Sequence, residues 1–222
     1  MAMARRKREQ PIPAVEDLKT CGHLLSERRL VWGRSGNISA KVEADAFLIS
    51  ASGSDLGALR SDDLVLCQIH ADTCQGAKSP SIEKGMHQAI YKAVAEAAAV
   101  IHSQPFYATL VACSDITIKT DLFPEAMAYL DRIERVPYRH AGSPDLAKAA
   151  AAKACSSHAL LLDNHGAVCW GYSIDEALLR TETLEFLRRL VVMSNISGNA
   201  LNHLGRDTMV SFLEHLQLIK RA

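Results

Sequence analysis

The sequence has no net charge and no long apolar run, and each absence excludes a class of function. Lys plus Arg and Asp plus Glu both number 25, so charge gives no reason to expect nucleic acid or an anionic membrane as partner. No stretch approaches the roughly 18 consecutive apolar residues of a membrane-spanning helix. The basic N-terminus lacks the apolar segment that a secretory signal carries. These absences predict a cytoplasmic protein.

The cysteines also lack a pairing motif, because no two of them form a C-x-x-C pair. They are Cys21, Cys67, Cys74, Cys113, Cys155 and Cys169. Several lie inside apolar runs, such as 168–170. Cysteine as a small buried hydrophobic residue is therefore favoured over a disulfide or metal role.

Turn signals along the chain predict a flexible basic tail at 1–13 and a single domain at 14–222. Helical patterns occupy 15–28, 81–99, 143–153 and 173–193, and apolar strand patterns occupy 47–50, 64–69, 99–102, 159–163 and 167–171. The tight turn at 164–166 joins two strands as a hairpin. A mixed sheet with flanking helices follows, unlike a doubly wound parallel sheet.

Two histidines occupy matching positions at predicted strand ends. His102 ends one apolar run and His165 lies in the 164–166 turn, so their side chains could converge on one metal ion. Taken singly, each is more often a hydrogen-bonded structural residue than a ligand. Glu83 begins the Ala-rich helix, where the helix dipole favours a carboxylate, and His87 lies one turn further on the same face. A simple helix cap is the alternative role for Glu83.

Two glycine-bearing turns are candidates for binding an anion. Gly36–Asn37 and Ser52–Gly53 each place a glycine beside an amide or hydroxyl group, so that backbone N–H groups can approach a phosphate. Neither turn matches a Walker loop or a dinucleotide fingerprint, and ordinary turns are the alternative.

The order of these segments resembles the class II aldolase/adducin family, a family of sugar-phosphate aldolases and epimerases. The resemblance runs from about residue 15 to residue 190 and includes the segments 36–39, 52–53, 81–87, 101–105 and 163–166. It implies a single α/β domain with a mixed, mainly antiparallel central sheet flanked by helices on both sides. It also implies a homotetramer that acts on a small-molecule substrate.

The same resemblance implies a divalent metal, Zn²⁺ first, and a metal-dependent lyase that works through a metal-stabilised enediolate. The implied residues are Glu83 as catalytic acid/base, His102, Gln104 and His165 at the metal, and Gly36, Asn37, Ser52, Gly53 and Ser81 at the substrate phosphate.

Three positions depart from the family pattern. Gln104 replaces the middle imidazole ligand, and a neutral amide oxygen suits Mn²⁺ or Mg²⁺ better than Zn²⁺. Ile82 replaces a second phosphate-binding serine, and Phe123 stands where aldolases carry a proton-donating tyrosine, for which Tyr129 or Tyr138 could substitute. These changes favour decarboxylation over aldol cleavage. Sugar-phosphate epimerisation and a non-catalytic, adducin-like interaction role are the alternatives.

Overall fold

Eight strands form one sheet in the part of the chain that the computed structural model describes, residues 13–130 and 132–221. They are β1 (Asn37–Glu43), β2 (Ala46–Ser50), β3 (Leu64–Gln68), β4 (Cys74–Gln75), β5 (Ala99–Ser103), β6 (Ile133–Val136), β7 (Ala159–Leu162) and β8 (Gly166–Gly171). Their spatial order is β4-β3-β2-β1-β5-β8-β7-β6, and only β6 and β7 pair in parallel. The mixed, mainly antiparallel sheet predicted from the sequence is confirmed.

Seven α-helices accompany the sheet within the described ranges. They are α1 (Pro13–Glu27), α2 (Lys84–Ala93), α3 (Phe106–Ala112), α4 (Pro124–Leu130), α5 (Pro144–Ala154), α6 (Ile174–Ser197) and α7 (Arg206–Arg221). Serine residues cap the N-termini of two of them. Ser143 Oγ accepts a hydrogen bond from Leu146 N at the start of α5, and Ser173 Oγ accepts one from Glu176 N at the start of α6, each at 3.1 Å.

The sheet is covered by helices on both sides because its strands bury both faces. Alternate residues of β2 lie on opposite faces of the sheet, with Phe47 and Ile49 packing on one side and Leu48 on the other. The first side, the front face, is covered by α2 and α5. The opposite side, the back face, is covered by α1, α3, α4 and α6. The expected three-layer arrangement of a single domain is confirmed.

The Ala-rich segment at 81–99 is helical over a shorter range than its composition predicts. Helix α2 ends at Ala93, Val94 has extended backbone angles, and Ala99 already begins β5. Alanine favours helix by intrinsic propensity, but residues 99–103 pair with β1 on one side and β8 on the other. Sheet pairing between two buried neighbours therefore overrides local propensity at the end of this segment.

The prediction of free, buried cysteines is confirmed for Cys21 and Cys169. It is wrong on burial for Cys113 and Cys155, which are free but exposed, and wrong on pairing for one further pair. Cys67 and Cys74 form a disulfide between β3 and β4. They are direct neighbours across the two antiparallel strands, with a Cα–Cα distance of 4.2 Å. A cross-strand pairing of this kind depends on register, which residue spacing alone does not reveal.

Two further predictions concern the chain as a whole. No helix within the described ranges has both the length and the apolar character that crossing a membrane requires. Residues 1–12, which make up most of the predicted basic tail, lie outside the described residues, so the boundary between tail and domain stays a prediction.

Candidate metal centre and active site

Four segments of the chain meet at one edge of the sheet on its front face. Asn37 begins β1 and lies directly opposite His102 near the end of β5, because the two strands are antiparallel. The β7–β8 hairpin places His165 beside the end of β5, where Ser103 pairs with Ala167. Glu83 stands at the N-terminus of α2, the helix that covers this part of the front face.

Glu83, His102 and His165 form one compact cluster. Glu83 Oε2 lies 3.1 Å from His102 Nε2, and Glu83 Oε1 lies 3.3 Å from His165 Nε2. The two imidazole rings have centroids 4.8 Å apart and meet edge to face. The donor atoms of all three side chains lie within 4.8 Å of one another, which is close enough for a single metal ion. The convergence of the two histidines expected from the sequence is therefore present.

The surroundings of His102 leave a lone pair directed into the cluster. Its Nδ1 lies 2.9 Å from the carbonyl oxygen of Ala167, and a carbonyl can only accept a hydrogen bond. Nδ1 therefore carries the proton, and in the neutral ring Nε2 is unprotonated. A backbone acceptor behind a histidine ring is the usual support of a metal-binding imidazole.

Two buried oxygen atoms at the cluster have no hydrogen-bond partner in the described residues. They are Glu83 Oε1 and Gln104 Oε1. Burying a polar atom without a partner is costly, and a cation between the side chains would remove that cost. Two imidazoles, a carboxylate and an amide oxygen are donors that a divalent metal accepts, so the residues present fit a bound metal ion.

Gln104 lies beside the cluster with its amide turned toward His102. Its Nε2 is 2.9 Å from His102 Nε2. Rotating the amide half a turn about its last bond exchanges nitrogen and oxygen and would direct Oε1 toward the cluster. The side chain is thus in place to contribute an oxygen where the family pattern has an imidazole.

The electrostatic environment keeps His165 neutral. Burial and the neighbouring His102 lower the pKa of His165, and the opposing effect of Glu83 is smaller. A neutral imidazole is the form that coordinates a metal.

The residues expected at the substrate phosphate surround the same edge. Ser81 lies beside β2, since its N–H donates to the carbonyl oxygen of Ser50 at 3.1 Å, and its Oγ accepts from Glu83 N at 3.2 Å. The exposed turn formed by Ser52 and Gly53 adjoins it, because Ser52 N donates to Ser79 O at 3.0 Å.

The Gly36–Asn37 segment completes this edge. Gly36 has a φ of +80°, and a Cβ there would lie 2.8 Å from the carbonyl oxygen of His102, so only glycine fits without displacement. The Asn37 side chain is buried and donates through Nδ2 to Glu83 Oε2 at 2.9 Å. The structure therefore brings all the expected site segments together.

Behind Glu83 lies a hydrogen-bonded group of buried polar residues that the sequence did not predict. His87 Nε2 lies 2.6 Å from Asn37 Oδ1, and Ser39 Oγ lies 2.7 Å from both His87 Nδ1 and the Tyr91 hydroxyl. The spacing of Glu83, His87 and Tyr91 at every fourth residue was the available signal, since it places them on one face of α2.

Phe123, at the position of the family's proton-donating tyrosine, and the two tyrosines that could substitute for it lie in different parts of the fold. Phe123 packs with Phe186 at a ring-centroid distance of 5.5 Å, within the cluster of side chains on the back face. Tyr138 lies in the exposed loop after β6, with its hydroxyl 3.3 Å from His140 Nδ1. Tyr129 is half-buried in α4.

Comparison with known proteins decides the family. The model of the class II aldolase and adducin N-terminal domain matches residues 16–192, a range that includes every residue of the site described above. The chain belongs to the class II aldolase and adducin family. Members of this family depend on a divalent metal, and the Glu83–His102–His165 cluster is a site that could hold one.

Individual relatives within the class II aldolase family are enzymes. The chain is 34% identical over 180 residues to an L-fuculose phosphate aldolase of Methanococcus maripaludis, covering 81% of this chain and 96% of the relative. It is 31% identical over 198 residues to a 3-oxo-tetronate 4-phosphate decarboxylase of Haemophilus influenzae, covering 87% and 92%. The solved structure of an L-fuculose 1-phosphate aldolase superposes with a TM-score of 0.84 at 25% identity, covering 92% of this chain and 96% of its own length.

Proposed function

We propose that this protein is a metal-dependent lyase that breaks a carbon–carbon bond in a small phosphorylated hydroxycarbonyl compound, by aldol cleavage or by decarboxylation. The observation that carries the proposal is the convergence of Glu83, His102 and His165, whose donor atoms lie within 4.8 Å of one another and include a buried oxygen without a hydrogen-bond partner in the described residues. Both relatives described above act, by name, on phosphorylated compounds, one as an aldolase and one as a decarboxylase.

His102, Gln104 and His165 would hold the metal, with Zn²⁺ as the first candidate and Mn²⁺ or Mg²⁺ as alternatives because of the amide at Gln104. Bound there, a divalent metal supplies a Lewis acid that stabilises the negative charge developing on the substrate oxygen as the bond breaks. The backbone carbonyl of Ala167 holds His102 in the tautomer that this role requires.

Glu83 would move the proton. When the carbon–carbon bond breaks, its electron pair stays on the carbon next to the carbonyl group, and that carbon must then be protonated. The Glu83 carboxyl group is buried between the two imidazoles, so it can hold a proton at the reacting carbon and exclude competing water.

The substrate phosphate would lie at the edge formed by Gly36, Asn37, Ser52, Gly53 and Ser81. Ser81 stands two residues before Glu83, which is the N-cap of α2, and there backbone N–H groups and the helix dipole favour an anion. The exposed Ile82 offers no donor where the family pattern has a second serine, so fewer hydrogen bonds reach the phosphate than in that pattern.

Decarboxylation is the favoured reaction of the two. Phe123 cannot donate a proton and packs against Phe186, whereas aldol cleavage must handle the proton of a substrate hydroxyl group. Loss of CO₂ leaves the same carbanion and needs no such group. Epimerisation, in which a bond at a substrate carbon is broken and re-formed with the opposite configuration, and a non-catalytic role like that of adducin are the alternatives on the same fold.

The first test is metal content. We expect purified protein to contain about one divalent ion per chain by elemental analysis, and His165→Ala to lose most of it because one imidazole donor is gone. His23→Ala, an exposed histidine on α1, is the matched control and should keep the metal. Equal metal content in both variants would contradict the assignment of His165.

The second test is turnover. Metal-loaded protein should cleave L-fuculose 1-phosphate or decarboxylate 3-oxo-tetronate 4-phosphate. Glu83→Gln should lower kcat by roughly 10²- to 10⁴-fold while retaining metal, because glutamine keeps an oxygen at the position of the carboxylate but cannot transfer the proton. Metal-loaded wild-type protein that leaves both compounds unchanged would count against a lyase acting on them. An unchanged rate for Glu83→Gln would remove its role in proton transfer.

We also propose a homotetramer in the cytoplasm. The support for assembly is an aromatic patch, defined as Trp32, Phe106, Leu110 and Phe186, whose side chains are all exposed in the single protomer. The groove beside Trp32 and Phe106 is also lined by Gln104, so a second subunit seated on the patch would lie next to the metal centre.

A further inference from the structure

Five polar side chains form a continuous chain of hydrogen bonds between α2 and β1. Glu83, His87 and Tyr91 project from one face of the helix, and Asn37 and Ser39 project from the facing side of the strand. The chain runs alternately between the two elements, in the order Tyr91, Ser39, His87, Asn37 and Glu83. All five residues are buried.

The direction of every bond follows from its end at Glu83. A carboxylate accepts hydrogen bonds, so the Asn37 atom facing it, at 2.9 Å, must be the Nδ2 donor. Asn37 then presents Oδ1 to His87, and because Oδ1 only accepts, His87 Nε2 must carry a proton.

The remaining bonds follow in the same way. Burial lowers the pKa of His87 to about 3, so the ring is neutral near pH 7 and its Nδ1 is an acceptor. Ser39 must therefore donate to His87 Nδ1, and having used its only proton it must accept from the Tyr91 hydroxyl. The chain thus has one consistent direction, from Tyr91 to the Glu83 carboxylate.

We propose that His87 is a positioning residue for Glu83. The His87 Nε2–H fixes the orientation of the Asn37 amide, so that the Asn37 NH₂ group faces the Glu83 carboxylate. That NH₂ group then holds the carboxylate between the two site histidines. The inference rests on the proposed role of Glu83. Without the His87 donor the Asn37 amide could rotate and present its oxygen to Glu83, and two acceptors facing each other would displace the carboxylate.

A spectroscopic test on the unaltered protein checks the direction of the chain. In ¹⁵N spectra of the protein labelled at its histidine rings, His87 should be the Nε2–H tautomer, with its signals assigned by their loss in a His87 variant. An Nδ1–H tautomer would overturn the proposal, since Asn37 would then have to turn its NH₂ group away from Glu83. This result does not depend on whether the protein is a lyase.

Two substitutions of His87 test the consequence for the site. Gln places an N–H donor near the position of Nε2 and can still reach Asn37, whereas Asn reaches only as far as Nδ1 and can bond Ser39 alone. We expect His87→Gln to bind Zn²⁺ within about threefold of wild type, and His87→Asn to bind it roughly 10- to 100-fold more weakly, as measured by competition with a chelator.

The outcomes separate this inference from the proposed function. Equal Zn²⁺ affinities of the two variants, at equal resistance to urea, would overturn the positioning role. Failure of the wild-type protein to bind Zn²⁺ would instead count against the metal centre. If His87→Asn does not fold, the ¹⁵N measurement on the unaltered protein decides, because His87→Gln is enough to assign the ring signals and an Nδ1–H tautomer would still overturn the proposal.

Discussion

At the residue scale, Glu83 is unusual because its carboxyl group is buried although one of its oxygens has no hydrogen-bond partner in the described residues. The other oxygen is held by the Asn37 amide. A buried carboxylate of this kind is destabilising unless a cation or a reacting proton uses it. The same arrangement is therefore costly for folding and useful for chemistry.

His87 should make folding sensitive to acid. Its pKa is lowered from 6.5 to about 3 by burial, so below pH 6.5 the unfolded chain binds a proton that the folded chain does not. The free energy of unfolding should fall as pH falls from 6.5 toward 3, by about 1.4 kcal/mol per pH unit. The lowered pKa of His165 acts in the same direction.

Urea unfolding at several pH values in the presence of a chelator measures this dependence. His87→Gln is the control, since glutamine does not titrate and the other ionisable groups are unchanged. The curve of free energy against pH should be flatter for the variant below pH 6.5. Parallel curves for both proteins would show that His87 is protonated in the folded state.

At the scale of elements, the site is built where four chain segments end or begin rather than within any one of them. The start of β1, the end of β5, the β7–β8 turn and the start of α2 meet at one edge of the sheet. Close contact between these elements depends on glycine. A Cβ at Gly166 would lie 2.6 Å from the carbonyl oxygen of Ser103 and 3.0 Å from Gln104 Cγ.

Two glycine-to-alanine substitutions should therefore change the free energy of unfolding in opposite directions. Gly166→Ala should lower the free energy of unfolding by about 1–3 kcal/mol, because the methyl group forces β8 away from β5. Gly85→Ala, in the first turn of α2, meets no atom within 4 Å and should raise it by about 0.5 kcal/mol, since alanine favours helix. Chemical unfolding of both variants compares them directly.

The Gly166→Ala substitution should also weaken metal binding. Because the added methyl group displaces the segment that carries Gln104, Zn²⁺ should bind Gly166→Ala more weakly than Gly85→Ala. If Gly166→Ala has the same free energy of unfolding as the wild type, β8 must shift at no cost in free energy. That result would contradict the role given to the close contact between Gly166 and Ser103.

At the scale of the whole molecule, the aromatic patch is the feature that a single protomer leaves unexplained. Trp32 is 70% exposed and Phe106 is 68% exposed, and large contiguous apolar surfaces of this kind mark interaction sites. Gln104, which lies beside the metal centre, lines the same groove as Trp32 and Phe106. Assembly and activity would then be coupled, since a second subunit on the patch would restrict solvent access to the site.

Charge placed in the patch should dissociate the proposed tetramer. Phe106→Asp puts an anion at the first residue of α3, where the helix dipole tolerates it, so the protomer should fold while the tetramer separates. Ile196→Lys is the control, because it introduces a cation in the last turn of α6 and lies outside the patch. Sedimentation velocity measures both, and a monomeric wild-type protein would contradict the tetramer.

Local signals in the sequence were enough for much of the fold. The serine caps at Ser143 and Ser173 and the tight turn at 164–166 act over a few residues, so their consequences can be derived from neighbours along the chain. The start of β5 at Ala99 and the Cys67–Cys74 disulfide could not be derived in this way, because both depend on which strands become neighbours.

The same division holds for the site. The identities of Glu83, His102 and His165, and their positions at the ends of elements, are properties of the sequence. The direction in which Asn37 presents its amide, and the connection of His87 and Tyr91 to Glu83, are decided only by the packing of α2 against β1. Hydrogen bonds between distant segments require specific distances and orientations, and these exist only once the whole sheet has formed.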